Sequence, residues 1–253
     1  MNALRSLAVE LPHDAVERRR AWAGALAPFL DMAPAERDPA PGLLALTRHR
    51  LGPMTLIEMT APAQTFRRTP RPAGALSDEV GTGSLQESAA KQEARGVTRP
   101  NVVGRDSSDD LMVLFWLDGV GRMTWPGGTV AFGRLQGVVL DLAQPATLVV
   151  GPVRATGLVL PRALVVDRLA NRLPDLASLH GAVLDPASDP VSRLFFTCVQ
   201  DAAENAASLP EDRVFPVTQG VAALATAALR RLATERRDAI EAAPVRRLEE
   251  VAA

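Results

Sequence analysis

The residues best able to do chemistry in this chain are three histidines and one cysteine. His13, His49 and His180 are far apart, and none stands in the H-x-H or H-x-x-x-H spacing that brings imidazoles to one metal ion. Cys198 has no histidine near it in the sequence and lies in an apolar helical pattern, which is typical of a buried, unreactive thiol. We therefore predict no metal centre and no cofactor.

Motifs for covalent or phosphate chemistry are also missing from the sequence. It contains no G-x-S-x-G, no P-loop and no G-x-G-x-x-G, and the pair Gly119 and Gly121 belongs to a predicted hairpin rather than to a strand-to-helix turn. These absences predict that the chain is not an enzyme. His49 alternates with Arg48 and Arg50 on a predicted strand, so it is either a hydrogen-bonded structural histidine, the more common case, or a ligand contact.

The composition is that of a globular chain without an overall positive charge. Of 253 residues, 47% are hydrophobic and 23% charged, which is enough to bury a sizeable core. The net charge is -1, so the chain as a whole has no positive potential that would attract nucleic acid or an acidic membrane. We predict no direct DNA binding by this chain alone.

The N-terminus superficially resembles an export signal, because Arg18 to Arg20 precede an apolar stretch. Three acidic residues (Glu10, Asp14 and Glu17) and the lack of an A-x-A cleavage site favour instead an amphipathic helix that starts near Asp14. No apolar run reaches the length of a membrane span. We therefore predict a cytoplasmic protein without a membrane partner.

Strand patterns dominate the middle of the sequence. Residues 1–41 are predicted as a helical leader with a proline-rich exit, and residues 43–50 and 54–59 as strands. Residues 72–108 are rich in Gly, Ser, Glu and Gln, which predicts a disordered insertion, with a lid over a pocket as the alternative.

Beyond the insertion, turns and strands alternate at short intervals. Residues 111–117 are continuously apolar, which indicates a strand covered on both faces. Further strands are predicted at 122–125, 129–132, 137–142, 146–150 and 155–160. Such even spacing is typical of an antiparallel sandwich or small barrel.

Helical periodicity replaces the strands after Pro161. Helices are predicted at 161–172, 190–209 and 216–237, and the last two form an antiparallel pair joined through residues 210–213. On the last helix, Leu224, Ala228 and Leu232 follow each other at a spacing of four. Such a ridge suits a facing helix, so we predict a dimer interface there, with simple capping of the sheet as the alternative.

Four segments carry a resemblance to a known family: DDLMVLFWLDG (109–119), RMTWPGGTVAF (122–132), GVVLDLAQP (137–145) and LVLPR (158–162), together with Arg68-Thr69-Pro70. They resemble the N-terminal effector-binding and dimerisation domain of AraC/XylS-type transcription regulators. The chain departs from the family pattern at Leu135-Gln136-Gly137, where many members have a P-G-D turn. Residues 238–253 look like a linker toward a helix-turn-helix that would lie beyond them.

The resemblance implies an α+β fold, in which an antiparallel cupin-like jelly roll or β-sandwich (42–172) precedes a helical dimerisation segment (173–237) containing the C-terminal antiparallel helix pair. It also implies a small-molecule effector, a homodimer or a heterodimer with a related regulator, and a role in transcription regulation without a DNA-binding motif. The alternatives are a truncated interaction protein that pairs with full-length regulators without sensing a ligand, and a metal-free cupin-type enzyme. The predicted effector pocket consists of Leu114, Trp116, Met123, Trp125 and His49.

Overall fold

The computed structural model describes residues 6–8, 14–27, 29–32, 44–69, 109–169 and 176–252. Its strands are β1 (Ser6–Ala8), β2 (Asp31–Met32), β3 (Ala45–Leu51), β4 (Met54–Ala61), β5 (Gln64–Arg68), β6 (Leu111–Asp118), β7 (Gly121–Trp125), β8 (Gly128–Phe132), β9 (Gly137–Asp141), β10 (Ala146–Val150), β11 (Val153–Leu160) and β12 (Val183–Leu184). Its helices are α1 (Ala15–Leu26), α2 (Arg162–Leu169), α3 (Pro190–Asn205) and α4 (Glu211–Ala252), with short 3-10 turns at Leu176–Leu179 and Ala206–Ser208.

Two antiparallel sheets form a β-sandwich. One sheet has seven strands in the order β1-β3-β4-β11-β6-β9-β12, and the other has five in the order β2-β5-β10-β7-β8. Non-sequential neighbours such as β4, β11 and β6 show that the chain crosses between the sheets, as a jelly roll does. The predicted α+β fold, a sandwich followed by a helix pair, is confirmed.

Strand β6 contributes side chains to both faces of the seven-stranded sheet. Its residues alternate between two buried clusters, so that Val113 and Phe115 face the helices while Leu114 and Trp116 face the second sheet. The continuous apolar run therefore arises because both faces of the seven-stranded sheet are covered.

We call the two clusters the helix-side core and the inter-sheet core. The helix-side core lies between the seven-stranded sheet and α2 to α4, and it includes Phe115, Phe195 and Leu229. The inter-sheet core fills the sandwich around Trp116 and Met123. Burial of this apolar surface on both sides is the main force that stabilises the layers.

Local signals fix the helix starts. Asp14 caps α1 by accepting from the backbone N–H groups of Val16 (3.0 Å) and Glu17 (2.9 Å), and Asp189 caps α3 in the same way. Helix α4 begins at Glu211, directly after Pro210, with two acidic residues in its first turn.

The predicted domain boundaries need two corrections at the ends of the chain. The described parts of the leader belong to the sandwich, because β1 pairs with β3, β2 pairs with β5, and Trp22 on α1 is buried in the inter-sheet core. Strands of three and two residues are too short to show an alternating pattern. The segment 173–237 likewise includes β12, which pairs with β9.

Helix α4 is much longer than predicted. It runs for 42 residues, about 63 Å at 1.5 Å per residue. It therefore starts before Pro216, which lies in its second turn, and it includes residues 238–252 of the predicted linker. This stretch is rich in Ala, Glu, Arg and Leu, which favour helix. The predicted insertion (72–108) lies outside the described residues.

Candidate functional site

Three of the predicted pocket residues lie together inside the sandwich. Leu114, Trp116 and Met123 all belong to the inter-sheet core, and each is at most 3% exposed. Trp116 packs on Phe132, with a distance of 4.2 Å between the ring centroids. In this structure the three side chains are therefore packed core.

Trp125 is the last residue of β7, and Gly121, which follows the β6–β7 turn, is the first. Its ring is half-buried and lies edge-on to His180, with 5.7 Å between the centroids. It also covers Gly181, where a Cβ atom would come within 2.3 Å of the Trp125 ring. Trp125 thus closes one end of the sandwich, which we call the base and define by Trp125, His180 and Gly181.

His49 lies on the other face of the seven-stranded sheet and is not part of this group. It is paired across the strands with Leu56, a residue of the helix-side core. Its Nε2 atom is 3.6 Å from a carboxylate oxygen of Glu58 on the same face. The sequence showed that His49 alternates with its neighbours, but only the register decides which face it occupies.

A buried polar cluster supports the base. Asp141, only 2% exposed, forms an ion pair with Arg162 and accepts from Gln144 Nε2 at 3.1 Å. The Arg162 Nε atom also donates to the Asp109 carbonyl at 2.7 Å. Asp141 belongs to the GVVLDLAQP segment and Arg162 ends the LVLPR segment, so two of the sequence motifs meet here in a structural ion pair.

The His180 side chain is hydrogen-bonded to the backbone of this cluster. Its Nδ1 atom accepts from the Asp141 backbone N–H at 3.0 Å, which requires a neutral imidazole with the proton on Nε2. Burial lowers the pKa of His180 below its usual 6.5, and the charge of Arg236 lowers it further. A hydrogen bond with the Pro145 backbone and the charge of Asp141 raise the pKa, but their effect is smaller than that of burial.

The other end of the sandwich is open, and we call it the mouth. It is formed by the turns at 118–121, 133–136 and 151–152, two of which are joined by a 3.0 Å hydrogen bond from Gly151 N to Val120 O. A cleft of about 740 Å³ lies here and extends onto the solvent face of the five-stranded sheet, where Arg122, Ala131 and Val149 are exposed. Its lining residues are Val120, Gly121, Arg122, Ala131, Phe132, Gln136, Val149 and Gly151.

Phe132 contacts Trp116 and also borders this cleft. Gly121 lies opposite Phe132 across β7 and β8, and a Cβ atom on Gly121 would come within 2.3 Å of the ring. The buried Nε1 donor of Trp116 has no hydrogen-bond partner, as is also the case for His49 Nδ1 and His180 Nε2. An unsatisfied buried donor costs free energy, and Trp116 is the one of these three that packs on a residue of the cleft lining.

The loop that holds Trp116 has a strained backbone. Leu135 has φ +66°, a left-handed conformation that residues other than Gly, Asn and Asp seldom adopt. Its N–H donates to the Trp116 carbonyl at 2.6 Å, and the Trp116 N–H donates to the Gln136 carbonyl at 3.0 Å. The strain therefore lies one residue from the cleft lining, in the part of the sequence that departs from the family turn.

The predicted dimer ridge on α4 faces the interior of the chain. Ala228 is 1% exposed and Leu232 is 9% exposed, and both belong to the helix-side core, while Leu224 is half-buried against it. A spacing of four residues follows one face of a helix but does not say whether that face meets its own sheet or a partner. Here it lies within the helix-side core of the same chain, where α4 packs against α3, so we correct the predicted interface.

Other features of the described residues bear on chemistry and membranes. Burial, together with the charge of Asp201, raises the pKa of the Cys198 thiol. Among the residues that the structure describes, no three His, Cys, Asp or Glu side chains come close enough to share a metal ion. None of the described helices combines the length and apolar character needed to cross a membrane.

Sequence reasoning missed most of the mouth. Phe132 and Arg122 were placed correctly on strands, but Gln136, Val149 and Gly151 come from turns and strands whose meeting point depends on the register. The alternation of Arg122 and Thr124 with Met123 and Trp125 did predict which side of β7 faces solvent.

One solved structure has a similar fold over most of the chain. The structure is similar to the crystal structure of the AraC-like transcriptional activator CuxR, with a TM-score of 0.62 and 15% sequence identity over 90% of this chain and 70% of that chain. It is more distantly similar to a Cupin 2 conserved barrel protein from Salinispora arenicola (TM-score 0.28, 14% identity, 56% of this chain and 97% of that chain). A cupin domain of an XRE family regulator from Enterobacter cloacae gives a TM-score of 0.27 at 13% identity, over 46% of this chain and 95% of that chain.

The sequence itself matches no protein-family model and no curated protein. At 15% identity the similarity to CuxR concerns the fold. The chain therefore shares with this AraC-like activator a fold in which a β-sandwich is followed by C-terminal helices.

Proposed function

We propose that this chain is the regulatory domain of an AraC-type transcription regulator and that it binds a small effector at the mouth of its sandwich. The observation that carries this proposal is the unpartnered donor of Trp116, whose ring packs on Phe132, a residue that lines the cleft. The AraC-like fold supports the regulatory role. The role is binding rather than catalysis, in the cytoplasm, and without direct DNA contact by this chain.

The chemistry of the mouth suggests the class of effector. Phe132 and Val149 offer apolar surface for a ring or short hydrocarbon, and Trp116 Nε1 offers a donor to a carbonyl or carboxylate oxygen. Arg122 on the cleft wall is exposed and would attract a negative group. We therefore propose a small molecule with an apolar ring and an oxygen acceptor.

Binding would require a rearrangement at Phe132. Phe132 contacts Trp116 and lines the cleft, so we propose that its ring turns aside when an effector oxygen reaches the indole N–H. That movement would release the Trp116 contact and change the loop at Leu135, which gives the sandwich two states that a ligand can bias.

A thermal-shift screen of ring-containing carboxylates and amides tests this proposal. A ligand at one hundred times its dissociation constant would add about 2.7 kcal/mol to the stability and raise the melting temperature. The variant Trp116→Phe keeps an aromatic ring but removes the donor, so we expect it to lose most of the shift. The matched variant Trp125→Phe at the base should keep it.

Two outcomes would contradict the proposal. One is a screen at millimolar concentration in which no compound stabilises the protein. The other is a ligand whose shift is the same in Trp116→Phe as in the unaltered protein, because the effector would then bind elsewhere.

A further inference from the structure

Strand β8 is the only long edge strand among the residues that the structure describes. The seven-stranded sheet has β1 and β12 at its edges, and the five-stranded sheet has β2 and β8. The strands β1, β2 and β12 have three, two and two residues, whereas β8 has five. Short edge strands are one means by which proteins keep other chains from pairing with a sheet. In the described part of the chain, β8 therefore leaves a row of backbone N–H and C=O groups without a neighbouring strand.

The sequence of β8 also lacks the usual protection of an exposed edge. It contains Gly, Thr, Val, Ala and Phe, with no charged residue and no proline, and its pairing with β7 has no bulge. Thr129 and Ala131 are exposed and Val130 is half-buried. Among the described elements, β8 packs extensively on β7 alone. A regular, uncharged edge whose residues favour strand is a template for one more strand.

The hairpin of β7 and β8 and the turn that follows it are cationic. Residues 119–140 contain Arg122 and Arg134 but no Asp, Glu or Lys, in a chain whose net charge is -1. Both arginines are exposed, and neither forms an ion pair with a residue that the structure describes. Arg122 is paired across the strands with Ala131, whose small side chain leaves room between the arginine and the edge. A strand added to β8 would therefore lie beside positive charge.

We propose that β8 binds an extended, acidic segment of another protein, which adds a sixth strand to the five-stranded sheet. In this mode of recognition, main-chain hydrogen bonds provide the affinity and alternate side chains provide the specificity. Side chains of the added strand that lie beside Thr129 and Ala131 project on the same face as Arg122, so acidic residues at those positions are attracted to it. Arg134, two residues beyond the end of β8, attracts an acidic residue at that end of the segment.

Charge and backbone chemistry favour this partner over two others. A second copy of the chain, paired edge to edge through β8, would bring the arginines of two cationic hairpins together, which is unfavourable. A nucleic acid backbone offers acceptors but no donors to the C=O groups of the edge. The hairpin also has no fully exposed ring on which bases could stack, because Phe132 is buried and Trp125 is half-buried.

Fluorescence anisotropy with a labelled peptide and the full chain tests the proposal. The probe is an octapeptide that alternates Glu and Val, so that its carboxylates lie on one face of an added strand. We expect saturable binding at low salt. A peptide with Lys in place of Glu should bind at least tenfold more weakly, because its charges repel the two arginines.

N-methylated peptides test whether the backbone forms the contact. Methylation of every second residue removes the N–H groups along one edge of the peptide strand and leaves those along the other edge. Only one edge of the peptide can pair with β8. We therefore expect one of the two methylation patterns to abolish binding and the other to preserve it.

Protein variants locate the surface. Arg122→Glu and Arg134→Glu should each weaken peptide binding at least tenfold and leave circular dichroism unchanged, because both side chains are exposed. The matched control Arg193→Glu changes an exposed arginine on α3 and should bind the peptide as the unaltered protein does. If Arg122→Glu does not fold, Arg122→Gln repeats the test without a new charge. Trp116→Phe should also leave peptide binding unchanged, which separates this surface from the effector site.

Three results would overturn the proposal. One is the absence of binding by the Glu/Val peptide at concentrations up to about 1 mM. Another is equal binding by both N-methylated peptides. The third is an oligothymidylate that binds more tightly than the peptide and loses its binding in Arg122→Glu, because the surface would then recognise phosphates. Each of these results leaves the effector proposal standing, since the thermal shift that depends on Trp116 requires no peptide.

Discussion

The two ends of the sandwich each contain a tryptophan, yet they are built in opposite ways. At the base, Trp125 lies over Gly181 and His180, and a buried ion pair between Asp141 and Arg162 secures the strands beneath it. At the mouth, Trp116 has an unpartnered donor and packs on Phe132, which lines a cleft. The base also has a buried atom without a partner, His180 Nε2, but its rings are held by close packing and the ion pair, whereas the mouth borders the cleft.

This difference shows that burial alone does not identify a binding residue. Trp116 is more buried than Trp125, and a search for exposed aromatic rings would choose the wrong one. What distinguishes Trp116 is unsatisfied hydrogen bonding next to a strained loop at Leu135. Both are departures from the usual rules of packing, and such departures often mark functional sites.

The largest expected difference between the two ends concerns charge. Arg162→Met should lower the free energy of unfolding by about 3–5 kcal/mol, because it leaves the Asp141 carboxylate buried without its cation. The matched variant at the mouth, Arg122→Met, removes an exposed arginine and should change stability by less than about 0.5 kcal/mol. Urea unfolding of both variants measures this, and equal effects would remove the distinction.

Glycine substitutions test how tightly each end is packed. Gly181 has φ +73°, and a Cβ atom there would come within 2.3 Å of Trp125, so Gly181→Ala should cost about 2–4 kcal/mol. Gly133 at the mouth has its nearest neighbour at 3.9 Å. Gly133→Ala should therefore leave stability unchanged or raise it slightly. Thermal unfolding compares the two, and a tolerated Gly181→Ala would mean that the base is loose.

The base should also make stability depend on pH through His180. Its pKa is lowered in the folded state, so the unfolded chain binds the proton more tightly. This stabilisation is complete above the ordinary pKa of about 6.5. It is lost as the pH falls from there toward the lowered pKa of the folded state.

A suitable variant for this effect is His180→Asn, because its side-chain oxygen can replace Nδ1 as the acceptor for the Asp141 N–H. We expect urea unfolding between pH 7.5 and 5 to show a smaller loss of stability on acidification in His180→Asn than in the unaltered protein. Identical pH profiles would show that His180 is not held neutral.

The smallest expected effect is at the strained mouth loop. Leu135→Gly should raise stability by about 1 kcal/mol, because glycine adopts a left-handed conformation without steric cost. Leu135→Ala retains the same backbone cost and serves as the control. If neither variant is more stable, the loop stores no strain in solution.

The sequence predicted the elements far better than their meeting points. Strands β6 to β11 were predicted within two residues at each end, because alternation and turn residues such as Asp118 and Gly119 are local signals. His49 was assigned to the pocket although it faces the helices, since the face depends on pairing with Leu56, a long-range feature. Ala228 was assigned to a partner for the same kind of reason, because small residues suit a sheet as well as a second helix.

Indole N–H resonances in a two-dimensional nitrogen–proton NMR spectrum provide the most direct test of the central claim. The chain has three tryptophans, so the three indole signals can be assigned by single Trp→Phe variants. With a compound that raises the melting temperature, we expect the Trp116 Nε1–H proton signal to move downfield as it gains an acceptor, while the Trp125 signal stays in place. A ligand that shifts Trp125 and leaves Trp116 unchanged would contradict this account.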